Sequence, residues 1–116
     1  MKEFLFIYRV DYSKMKDVSP EEMQANTKRW MDWIGSIAAQ DKLANGGNRL
    51  VPFSGKVLKS TSIITDGPYA ETKESINGYS IIKTDSIEDA VELAKGCPLF
   101  VLNMGGSVEV REINAM

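Results

Sequence analysis

The chain has 116 residues, 43% hydrophobic and 26% charged, a balance that fits one soluble globular domain over residues 1–116 with a core large enough to need no metal or disulfide staple. Lys plus Arg is 14 against 16 for Asp plus Glu, and this net charge of −2 argues against a nucleic-acid-binding face. One cysteine and no histidine exclude an intrachain disulfide and any Ser-His-Asp or Cys-His nucleophile system, and they remove the commonest ligand of zinc-type sites.

The first strand is expected at about Glu3 to Val10. Phe4, Phe6, Tyr8 and Val10 alternate with Leu5, Ile7 and Arg9, and both sides are largely apolar, as in a central strand covered on two faces. After a polar loop, Ser19-Pro20-Glu21-Glu22 opens a helix, with Ser as N-cap, Pro at the first helical position and acids at the positive end of the dipole. Met23, Thr27, Trp30, Ile34, Ile37 and Ala38 form its predicted core stripe to about Gln40, with Met31 and Trp33 on the shoulders. Ala44 to Asn48 reads as the turn that ends this helical region.

Arg49 to Phe53, Lys56 to Ser60 and Thr61 to Thr65 read as short extended pieces, and Tyr79 to Thr84 as a longer strand. Ser86 caps a second helix whose apolar positions are Ile87, Ala90, Val91 and Ala94, closed by Gly96. Cys97 follows it as a small buried filler, and Ser107 to Ile113 is the last strand. This order is that of a split βαβ, ferredoxin-like α+β fold with an antiparallel sheet, both helices on one face, and an extra short hairpin. The other face is mixed: Glu109 and Arg111 alternate with Val108 and Val110, and Tyr79 and Ile81 with Ser80 and Ile82. Such a face predicts a dimer interface enclosing a pocket. No segment is apolar for long enough to cross a bilayer, no leader with a cleavage site is present, and no glycine-rich nucleotide loop occurs, so a cytoplasmic chain without cofactor or metal is expected.

The chemistry concentrates in Asp66-Gly67-Pro68-Tyr69-Ala70-Glu71-Thr72-Lys73-Glu74, which runs on to Asn77-Gly78-Tyr79. Gly67-Pro68 fixes a turn that sets the directions of Asp66 and Tyr69. Two readings stand. In one, Asp66 accepts backbone N–H groups of its own turn while Glu71, Lys73 and Glu74 form a solvated rim. In the other, the segment touches a ligand: a partly dehydrated carboxylate, Asp66 or Glu74, serves as general acid or base and Lys73 meets an anion.

This motif, with Asp85-Ser86-Ile87-Glu88-Asp89-Ala90, Cys97-Pro98 and Gly106-Ser107-Val108-Glu109-Val110-Arg111, resembles the signature of the DGPF-domain proteins, a branch of the YCII-related superfamily. The resemblance spans Thr61 to Ile113; the N-terminal half agrees in pattern. It implies ferredoxin-like subunits paired sheet to sheet as a dimeric α+β barrel. The position of Tyr69 is usually Phe in that signature, and Glu112 stands where Pro is usual. Some members of the superfamily carry a His-Asp pair, and one branch dehydrochlorinates a chlorinated aromatic. That chemistry does not transfer to a chain without histidine. Other relatives adjoin sigma factors of the extracytoplasmic-function class, which implies a regulatory role and a sigma-factor partner.

The reading that follows is a homodimer binding a small ligand near the Asp66 turn without catalysis, with Asp66, Tyr69, Glu71, Lys73, Glu74, Glu109 and Arg111 as contacts. Two alternatives accompany it. One is a lyase or isomerase on a small organic acid or aromatic, with Asp66 or Glu74 as base and Arg111 or Lys73 holding the anionic group. The other is a protein-interaction module.

Overall fold

The computed structural model describes residues 1–12, 18–52, 54–67, 75–101 and 105–115. In chain order the elements are β1 (Lys2–Val10), α1 (Pro20–Ala39), β2 (Leu43–Arg49), β3 (Lys56–Ser60), β4 (Ile63–Asp66), β5 (Ser75–Thr84), α2 (Ile87–Ala94) and β6 (Ser107–Glu112), with a 3-10 turn at Pro98–Phe100. Strands β2-β5-β1-β6 form a four-stranded antiparallel sheet, and β3 and β4 pair as a separate hairpin. This is a ferredoxin-like α+β arrangement with a hairpin inserted between β2 and β5.

Alternation decides which side of β1 is buried. Phe4, Phe6, Tyr8 and Val10 are buried under the helices, whereas Leu5, Ile7 and Arg9 on the other side are half-buried. Gly78, Ser80, Ile82 and Thr84 of β5 face the helices too. The helices close that face through Trp33, Ile37, Ala90 and Ala94, with Cys97 and Leu99 below. Ser19 caps α1 by accepting the Glu22 N–H at 3.2 Å, and Ser86 caps α2 by accepting the Asp89 N–H at 3.2 Å, as their spacing predicts.

Four expectations are corrected. Ala44 to Asn48 is not a helix-ending turn but most of β2, which carries two register shifts against β5. Hydrogen bonds to β5 override the turn propensity of its Asn and Gly residues. The core stripe of α1 is centred on Trp33, which is 9% exposed, while Met23 and Ala38 are exposed. On α2 only the two alanines are buried and Ile87 and Val91 are exposed, because the helix lies against the sheet on its small-residue side. Finally, β5 begins at Ser75 rather than Tyr79.

The chain forms a slab, with extents of 44 × 43 × 18 Å. Its radius of gyration is 15.6 Å; a compact chain of this length has about 13 Å. The described sheet carries helices on one side only. No helix among the described residues is long and apolar enough to cross a membrane.

Candidate functional site

Topology sorts the connections to two ends of the sheet. The short links 40–42 and 85–86 lie at one end, while the ends of β1, β2 and α2 and the starts of α1, β5 and β6 lie at the other, the loop-rich end. The Asp66 motif connects β4 to β5, which begins at that second end. Asp66 is the last residue of β4; its side chain is 87% exposed and forms an ion pair with Lys56 across the hairpin. Tyr69, Glu71, Lys73 and Glu74 lie outside the described residues.

The face of the sheet away from the helices carries the other predicted contacts. Directly opposed residues share a face, so the register defines rows across it. One row runs Asn48, Tyr79, Ile7, Glu109, and the next Asn45, Ile81, Leu5, Arg111. The centre of this open face is apolar and its edges are polar. On the β6 edge, Glu109 accepts from the Arg9 guanidinium at 3.1 Å and lies 3.6 Å from that of Arg111. The fold therefore brings Glu109 and Arg111 together and adds Arg9. Asp66 is not joined to them: it is the last residue of β4, in the separate β3–β4 sheet, and its ion-pair partner is Lys56.

A second polar group sits where β5 begins. The register shift between Tyr8 and Arg9 leaves Asn77 as an extra residue in β5, a bulge of the kind that redirects side chains near functional sites. The Tyr12 hydroxyl donates to Asn77 Oδ1 at 2.9 Å, and the Asn77 carbonyl accepts from Leu50 N–H at 2.8 Å. Burial pushes the Tyr12 phenol above its ordinary range, and the Arg49 guanidinium opposes that shift.

Beneath this group a hydrogen-bonded chain crosses the core. The Tyr8 hydroxyl donates to Ser80 Oγ at 2.9 Å, and Ser80 Oγ donates to the Gly46 carbonyl at 2.7 Å. Burial holds the Tyr8 phenol far above its usual range, so it stays a neutral donor. Tyr8→Phe leaves Ser80 bonded to Gly46 and removes only one bond. The expected cost is about 1 kcal/mol, read as a lower urea midpoint at unchanged slope. A loss above roughly 3 kcal/mol would show that the phenol holds the β2–β5 register rather than one hydrogen bond.

Burial also pushes the Cys97 thiol up to about 11, so at neutral pH it is a protonated filler rather than a nucleophile. Among the described residues no group of three or more His, Cys, Asp or Glu is placed to hold a metal ion. Arg9, Tyr12 and Asn77 were not marked as site residues by their sequence context. Arg9 interrupts an apolar run, and its partner Glu109 is 100 positions away.

Comparison with curated proteins gives no match. Comparison with protein families does: the model of the YCII-related domain matches residues 1–116. The α+β sheet with two helices on one face agrees with that match, and the chain belongs to the YCII-related domain family.

Proposed function

We propose that the protein is a homodimer of the DGPF branch that pairs through its open sheet face and holds a small ligand between the sheets at the loop-rich end. The role is binding, with a regulatory output, rather than catalysis. The observation that carries this reading is the open face itself: Leu5, Ile7, Tyr79 and Ile81 form an apolar centre, bordered by the Arg9–Glu109–Arg111 cluster. An apolar centre with a polar rim is the anatomy of a protein interface. Paired guanidinium groups suit recognition of a carboxylate or similar anion. A general base needs a dehydrated carboxylate, and Asp66 stands exposed beside Lys56, which favours contact over proton abstraction.

Native mass spectrometry of freshly purified protein is expected to give twice the chain mass, with added mass where ligand is retained. Leu5→Glu supplies the sharper check. In a single chain Arg111 lies directly opposite and accommodates the new carboxylate, whereas a face-to-face dimer buries it. The dimer dissociation constant is expected to rise at least about a hundredfold, measured by sedimentation with unchanged circular dichroism. A dimer of undiminished strength would place the interface elsewhere.

A further inference from the structure

The open sheet face is complementary to itself. Along β1 it presents Glu3, Leu5, Ile7 and Arg9, so laying this strand on its own reverse sets acid on base and apolar on apolar. On β6 the neighbouring open-face positions Glu109 and Arg111 reverse in the same way. The two rows that cross the sheet match member by member: Asn45 with Asn48, Ile81 with Tyr79, Leu5 with Ile7, and Arg111 with Glu109.

We infer that two copies stack about a two-fold axis that runs across the strands, midway between these rows. Arg111 of each copy then meets Glu109 of the other, and Glu3 of each meets Arg9 of the other. Each Arg9–Glu109–Arg111 cluster is completed by a carboxylate from the second copy. This inference rests on the sheet-to-sheet dimer proposed above and gives it a register.

A two-fold axis that stacks two copies of one face lies in the plane between them, and the interface is isologous. Running across the strands, it lays every strand over its own counterpart in reverse and turns one row onto the other. Running along the strands, it keeps each row and exchanges columns, with β2 over β6 and β5 over β1. The apolar centre is matched either way, so charge decides between them.

Under the axis along the strands, Glu109 and Arg111 lie over the amides Asn48 and Asn45, and Arg9 lies over Ile76. The cluster holds two guanidinium groups and one carboxylate, so an uncompensated positive charge would lose its water there. The axis across the strands supplies the missing carboxylate. Arg9 bonds Glu109 through Nη2, and a guanidinium carries five N–H donors, so it takes a second carboxylate without releasing the first. Glu3 is placed for this. It opposes Lys83 in the register, yet the Lys83 ammonium lies 3.6 Å from Asp41, and among the described residues Glu3 has no ion pair of its own.

The test is cross-linking of the full chain with a short bis-maleimide. Residues 3 and 9 of one strand are roughly 20 Å apart, and stacked sheets are about 10 Å apart. Under the proposed axis, each of these residues is remote from its own symmetry mate but faces the other across the interface. Glu3→Cys with Arg9→Cys in one chain is therefore expected to give a covalent dimer, and neither single variant is. Lys83→Cys with Ile76→Cys forms a second pair that leaves the ion pairs intact, should the first weaken assembly. The parent chain, whose only thiol is the buried Cys97, is the blank. Covalent dimers from the single variants would overturn the proposed register in favour of the axis along the strands. A dimer by sedimentation that cross-links through neither pair would also overturn it, while leaving dimerisation intact. A monomeric parent chain would overturn both.

Discussion

Gly47→Ala is expected to destabilise the protein by at least about 3 kcal/mol, one of the largest effects of any single methyl group in this fold. Gly47 has φ +76° and lies within the second register shift of β2. Its N–H is taken by Asn45 Oδ1 at 2.8 Å, which holds the local conformation. A Cβ built there falls 1.6 Å from the Tyr79 carbonyl oxygen and 2.5 Å from its carbon. Both are backbone atoms of β5, so relief requires the two strands to separate rather than a rotamer to change.

Conformational strain at positive φ costs about 1 kcal/mol or more, and displacing the ladder adds the rest. The neighbour provides the control. A Cβ at Gly46 would have nothing within 4 Å, and Gly46→Ala should cost no more than about 1 kcal/mol. Thermal unfolding of the pair is expected to differ by roughly 10 °C. Equal melting temperatures would mean that β2 slides freely on β5, and the described register would be wrong.

The same segment shows where local sequence signals stop. Asn45-Gly46-Gly47-Asn48 has the composition of a turn, and only partners more than thirty positions away make it a strand: Ser80 Oγ donating to the Gly46 carbonyl, and Asn48 paired with Tyr79. Helix starts were legible because their determinants are local, as at Ser19-Pro20 and Ser86. The mixed character of the second sheet face was legible too, since alternation along each strand assigns sides without knowing the neighbours. Which strands abut was not, and so Arg9 went unnoticed beside Glu109. Asp66 was marked by its Gly-Pro turn, yet its place on an outlying hairpin follows from β3–β4 pairing by themselves. A candidate site that draws on a separate hairpin and on the β6 edge of the sheet is legible in sequence only as separate pieces.

Trp33 is the other case, and the expected result is again large. A helical wheel gives the spacing of apolar positions but no bearing on the sheet, so Trp33 reads as a shoulder residue open to a pocket or an interface. In the fold it is central. Its ring stacks on Phe6 at 6.2 Å with 12° between planes, and meets Tyr8 and Trp30 edge-on at 6.0 and 5.6 Å. Its Nε1 donates to the Leu93 carbonyl at 3.1 Å, tying α1 to the last turn of α2.

Trp33→Ala should therefore cost about 3–5 kcal/mol, a large part of the 5–15 kcal/mol that holds a typical domain together. Trp33→Phe keeps most of the apolar contact and removes one donor from the Leu93 carbonyl, which still accepts from the Gly96 N–H at 3.3 Å, so the expected cost is about 1 kcal/mol. Urea unfolding followed by far-ultraviolet circular dichroism separates the two, since each variant removes one of the two tryptophans and alters the fluorescence signal itself. A Trp33→Ala protein of nearly parental stability would restore the shoulder reading. The packing of Phe6, Tyr8 and Trp30 around one indole argues for the opposite result, with the helical side as closed core and the open sheet face left for partners.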